Sequence, residues 1–190
     1  MELFIKNADG TYSSLSETKP VPTRTVDGSG NFVDAPSVSK SKRVEITPSG
    51  QADTSINANE CIGTLQTLTG VLETGIESGI LTSLGASFDT QQTGILDAYV
   101  FNAIPASTVT DGSPFVFNSV DLPKFMGMFP LAPIGQLGTS GVTTTYDSGP
   151  LYQAIAGTTS GVLYVVLVAE TAMTLTANDW LSLRVGVIRD

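Results

Sequence analysis

The chain closes with GVLYVVLVAETAMTLTANDWLSLRVGVIRD, residues 161–190. Two long segments, 161–170 and 180–190, are dominated by Val and Leu, and "TANDW" between them supplies turn residues. Branched side chains suit a pleated surface, so both segments read as strands. The first is apolar on both faces, as expected where sheets pack against each other or against another subunit. Its apolar run, 162–169, is far too short to cross a membrane.

Working back from this end, similar segments recur. "RVEITP" (43–48) alternates and stops at a proline, and "ECIGTLQTLTGVL" (60–72) gives one or two strands broken at Gly70. "GILTSLGASFD" (79–89) is a long strand whose internal Gly85 suggests a bulge. "ILDAYVFNA" (95–103), a loop over 105–114, "FVFN" (115–118), "APIGQL" (132–137) and "PLYQAIAG" (150–157) follow. Helix is confined to "VDLPKFMGM" (120–128), with Ser119 or Asp121 as its cap. Roughly eight strands and no internal repeat predict an all-β domain over 44–190, a jelly-roll-like β-sandwich.

Residues 1–43 read differently. "LFIKNADGTYSSL" (3–15) is a small hairpin. The stretch 16–41, with three prolines and no periodicity, reads as an extended arm that cannot build a core of its own. Val21, Val26, Phe32 and Val33 within it suggest an arm that lies on another surface, such as a neighbouring subunit.

Charge divides along the same boundary. Residues 1–43 carry six basic groups against five acidic ones, whereas 44–190 carry three against thirteen, a net −10. An acidic body repels phosphate, which argues against nucleic acid as a partner. Lys40, Lys42 and Arg43 form a basic cluster that suits an acidic protein surface or is simply solvated. "MELFIKNADG" has no extended apolar run, so no signal peptide and no membrane partner are expected, and the chain is expected to be made in a cytoplasm.

Catalytic chemistry finds little support. The chain has no histidine, which removes the usual general base and the commonest metal ligand. The single cysteine, Cys61, forms no internal disulfide and reads as a small buried apolar residue. Asp89, Asp97, Asp111 and Asp121 cluster in sequence, but Asp111 and Asp121 fall where aspartate shapes turns and caps. "DGSGNFVD" (27–34) has Phe32 where a calcium loop needs glycine and Val38 where it needs glutamate. No catalytic residue, metal or cofactor is therefore expected.

What stands out is apolar surplus. Phe115, Phe117, Phe125, Met126, Met128 and Phe129 lie within fifteen residues, more than a small core takes from one segment. "KFMGMFPL" (124–131) has apolar residues at consecutive positions, which leaves some facing outward. A symmetric oligomer would bury them. The candidate interface residues are Phe4, Ile5, Tyr12, Phe32, Lys40, Lys42, Arg43, Phe125, Met126, Met128 and Phe129.

The segment "GASFDTQQTGILDAYVFNAIPASTVTDGSPFVFNSVDL" (85–122) resembles the head-decoration, or capsid cement, proteins of tailed bacteriophages. The matching residues are Asp89, Phe101, Pro105, Ser107, Thr108, Thr110, Asp111, Phe115 and Asp121. Gly112 departs from the pattern, which has Asn there. The likeness extends loosely from Val44 to the chain's end and leaves the arm outside it. It implies a non-enzymatic virion subunit, often a homotrimer, bound to the capsid exterior and bridging capsomers of the major capsid (coat) protein. The competing expectation is a carbohydrate- or receptor-binding β-sandwich of a phage fibre or tail, with Trp180 and the tyrosines stacking on sugars. Core packing is the simpler use of Trp180.

Overall fold

The computed structural model describes residues 4–6, 12–14, 25–26, 32–33, 40–72, 78–135, 144–149, 151, 153–156 and 161–189. The chain divides into two compact units, Met1–Val38 and Ser39–Asp190. In the first, β1 (Phe4–Lys6) pairs antiparallel with β2 (Tyr12–Ser14), the expected hairpin. β3 (Thr25–Val26) pairs with β4 (Phe32–Val33) inside the stretch expected to be an irregular arm. Strands of two residues are too short to display a period.

The second unit contains β5 (Lys40–Ile46), β6 (Ser55–Ile56), β7 (Gln66–Leu68), β8 (Ser78–Phe88), β9 (Leu96–Phe101) and β10 (Phe125–Gly135). After these come β11 (Thr144–Asp147), β12 (Gln153–Ala156), β13 (Leu163–Ala169), β14 (Met173–Thr174) and β15 (Trp180–Arg189). β5 places the boundary earlier than the expected break after Arg43. Lys40, Lys42 and Arg43 belong to the sheet, in register from Lys40 opposite Arg189 to Ile46 opposite Leu183. An edge strand tolerates this charge, which discourages further strands from adding.

The described strands of this unit pair antiparallel, in the order β5-β15-β8-β11-β10-β9-β13-β7, with β12 also on β8 and β6 paired to β14. β10 divides this array into two layers, because Phe125–Leu131 pair with β9 whereas Ala132–Gly135 pair with β11. Pro130 and Pro133 flank the change of partner. Proline has no N–H to donate, so it is confined to places where a strand lacks one neighbour. At the far margins β5 and β7 approach each other. Lys42 Nζ donates to the Gly70 carbonyl at 2.8 Å, and Arg189 Nε donates to the Val71 carbonyl at 2.9 Å. The result is an all-β, jelly-roll-like sandwich that nearly closes into a barrel, as the sequence predicts.

Alternation explains which side chains fill it. Leu84, Ala86 and Phe88 of β8, Leu96, Ala98 and Val100 of β9, and Leu183, Val185 and Val187 of β15 are buried in one core between the layers. Phe129 and Leu131 of β10 join them. Trp180 stacks on Phe88 with ring centroids 6.1 Å apart, so it packs in the core and is not a sugar platform. Each Leu, Val or Phe among them contributes about 1.5–3 kcal/mol when fully buried.

Two local expectations are corrected. "FVFN" (115–118) joins no ladder and is not a strand, although Phe115 N–H donates to the Asn59 carbonyl at 2.8 Å. The helix is a 3₁₀ turn, Ser119–Lys124, capped by Asn118, whose side chain accepts from the Val120 N–H. It does not run on to Met128, since Phe125 already begins β10. Pro123 withholds a donor, and the alternation from Phe125 onward suits a strand better.

Candidate functional site

Between β9 and β10 the chain leaves the sheet for residues 102–124 and folds back over the outer face of β9 and β13. That face is itself apolar, and a second buried cluster of Cys61, Phe101, Val166 and Val168 lies beneath the excursion. Phe115 meets Tyr99 at 4.8 Å between centroids, Phe117 meets Phe125 edge-on at 5.1 Å, and Phe125 meets Phe101 at 5.5 Å. Such pairs add about 0.5–1.5 kcal/mol each beyond area burial. Most of the aromatic surplus is therefore spent on attaching the excursion to the sheet.

Two aspartates fix its path. Asp111 Oδ2 accepts from the N–H groups of Ala52 and Asp53, and Oδ1 from that of Gly63, each at 2.6 Å. Asp121 is fully buried. Its Oδ1 accepts from Ala106 N–H at 2.7 Å and Lys124 Nζ at 3.0 Å. Its Oδ2 accepts from the N–H and hydroxyl of Ser107 at 2.8 and 2.7 Å, and Ser107 Oγ accepts in turn from Asn118 N–H at 2.9 Å. Burial pushes the Asp121 carboxyl up, but these donors outweigh it and hold the group well below the usual carboxylate range.

Cys61 is threaded into the same assembly. Its N–H donates to the Ser113 carbonyl at 2.9 Å and its carbonyl accepts from Gly112 N–H at 3.0 Å. Burial, reinforced by Asp111 and Glu60 and opposed by a backbone hydrogen bond at Thr110, pushes the thiol up to about 11. It stays protonated and packs as a small apolar group. Gly112 has φ +66°, and a Cβ there would meet the Asp53 carboxylate. Glycine at this position thus accommodates Asp53.

The excursion keeps four apolar side chains outside. Ile104, Val116, Val120 and Leu122 are between 60% and 73% exposed. Val116 and Phe117 also line an open cleft of about 660 Å³, whose other walls include Ser107, Thr108, Thr110, Ser113, Pro114 and Asn118. Along β10, Met128 and Ile134 face outward too. Among the described residues no group of three or more acidic or cysteine side chains is placed to hold a metal ion.

The candidate interface residues separate accordingly. Phe129 is buried in the main core, and Met126 packs against that core while half-buried. Phe125 belongs to the aromatic cluster, and only Met128 of the four is exposed. Lys42 is tied to Gly70, and Arg43 to Glu45 at 2.9 Å, while Lys40 opens the edge strand opposite Arg189, its side chain outside the described residues. Phe4, Ile5, Tyr12 and Phe32 lie in β1, β2 and β4, and their side chains fall outside the described residues. The sequence reading missed Ile104, Val116, Val120 and Leu122. Alternation of Phe115, Val116 and Phe117 is the signal that finds one of them, since two rings turned inward send the residue between them out. The chain matches no family model, no curated protein and no solved structure.

Proposed function

We propose that the chain is a non-enzymatic virion protein of the tailed-phage head-decoration type, binding the capsid exterior as a homo-oligomer, a trimer, and bridging coat-protein capsomers. The observation that carries this reading is the apolar rim of Ile104, Val116, Val120 and Leu122, held by an excursion that two aspartates anchor. A surface with this much exposed branched apolar area suits burial against a partner lattice. The motif residues Ser107, Asp111 and Asp121 build that presentation. Placing them in a decoration protein rests on the resemblance in the sequence.

The test is co-sedimentation of the full chain with tailed-phage coat shells stripped of decoration subunits. Binding to the shells is expected, with loss on the double substitution Val116→Asp and Leu122→Asp while the variant stays folded by circular dichroism. No binding to any such shell, or binding unchanged by the double substitution, overturns the reading. Light scattering adds a second check, since the trimer has three times the chain mass of 19.8 kDa.

One feature favours the alternative, a carbohydrate- or receptor-binding domain of a fibre or tail. The cleft combines one aromatic, Phe117, with the hydroxyl and amide groups of Ser107, Thr108, Thr110, Ser113 and Asn118, the mixture that binds sugars. Binding of isolated chain to a glycan array, lost on Phe117→Ala or Asn118→Ala, supports that reading instead.

A further inference from the structure

The opposite outer face of the sandwich, formed by β5, β15, β8 and β11, is polar around the middle of β15, where it carries Arg184. Cross-strand register puts Arg184 between Glu45 of β5 and Gly85 of β8, and Gly85 lies opposite Asp147 of β11. A Cβ at Gly85 would stand 3.4 Å from Arg184 Nη2 and 3.6 Å from Nε, so the guanidinium lies over the space that a side chain there would fill. Gly186, opposite both Arg43 and Ser83, is the second bare position. These gaps open a notch of about 110 Å³, lined by Arg43, Arg184, Ser83 and Asp147 together with the backbone of both glycines.

Residues 44–190 contain two other cations, and both are spoken for. Lys124 bonds Asp121, and Arg189 bonds the carbonyls of Gly70 and Val71. Glu45, the acidic neighbour of Arg184, is paired with Arg43. Among the described residues Arg184 makes no hydrogen bond or ion pair, although it is half-buried. A guanidinium presents five donors in a rigid fork that matches a planar oxyanion.

We infer that the Arg184–Arg43 notch is a binding site for a carboxylate, supplied by an acidic side chain of a protein partner. A monoanion fits better than phosphate, because Glu45 and Asp147 already neutralise part of the local charge and repel a dianion. The incoming carboxylate takes the free fork of Arg184 and shares Arg43 with Glu45. This site lies on the other layer from the apolar rim, and it does not depend on the decoration reading.

The test is a titration of the full chain with sodium acetate, and separately with inorganic phosphate, at ionic strength held constant with chloride. The arginine Nε–Hε resonances are followed by NMR. Acetate is expected to shift Arg184 and Arg43 saturably and more strongly than phosphate does. Arg184→Lys, which keeps the charge and loses the fork, should weaken acetate binding roughly tenfold. Arg43→Gln serves as the second variant, expected to weaken the Arg184 response without removing it. Shifts that follow ionic strength alone, a response unchanged in Arg184→Lys, or tighter binding of phosphate than of acetate each overturn the proposal.

Discussion

The two layers' shared core and the 102–124 excursion are held by different forces. The core is a matter of alternation, with inward side chains of β8, β9, β13 and β15 removing apolar area from water. The excursion has no strand; its aromatic side chains seat it on the sheet, and its path is set by Asp111 and Asp121, which satisfy backbone donors that no ladder reaches. A core made of many interchangeable contacts loses stability in proportion to what is removed. A loop hung on two carboxylates loses its shape when one is taken.

The largest effect should come from the core. Leu131 is fully buried where β10 passes from one layer to the other. Leu131→Ala should cost about 2–5 kcal/mol through lost burial and the cavity left behind. Urea denaturation followed by tryptophan fluorescence measures this directly, since Trp180 is in the same core. A cost below about 1 kcal/mol would show that the layers collapse around the gap, and the contrast with the excursion would fail.

Gly127 joins the two regions. It sits at the bulge between β9 and β10 with φ 149°, and a Cβ there would come within 2.9 Å of the Phe129 ring. Gly127→Ala forces a backbone conformation that L-residues avoid and pushes on the core ring at once. It should cost about 1–3 kcal/mol in the same denaturation experiment.

How far the sequence exposed each region follows from this contrast. The strands of the core were legible for two reasons: burial on one side imposes a period of two, which "LSLRVGVI" carries plainly, and burial on both sides leaves the unbroken apolar run "VLYVVLVA". β11 was missed because "TTYD" is polar apart from one ring, and β6 and β14 because two residues show no period. Within the excursion, Asp111 and Asp121 were assigned structural roles correctly in kind. Their donors come from residues up to 59 positions away, and no local pattern announces a contact of that range. The basic cluster was misplaced in the arm for a related reason, since what makes Lys40–Ile46 a strand is its partner β15.

Acid should separate the regions without mutation. Asp121 titrates below its ordinary value of 3.8, so folding is favoured wherever the group is ionised. That contribution is complete above the ordinary value and is lost as pH falls from there through the depressed folded value. Amide hydrogen exchange between pH 4 and pH 2, corrected for intrinsic rates, should therefore open Ala106, Ser107 and Asn118 before the amides of β8 and β15. Asp121→Asn should remove this pH dependence and leave those three amides less protected at every pH. Equal acid sensitivity in the variant would assign the effect to another carboxylate.

The smallest effect is expected at the rim, and it sharpens the comparison most. Val116 and Leu122 touch water in the folded chain, so their apolar area is not what holds the excursion in place. Val116→Ser and Leu122→Ser should each change stability by no more than about 0.5 kcal/mol, and the protection of Ala106, Ser107 and Asn118 should not move. A larger loss would mean that these side chains brace the loop. Unchanged stability leaves four branched side chains, set on an otherwise hydrogen-bonded scaffold, with no role inside the chain that carries them. Their use then lies in whatever surface covers them.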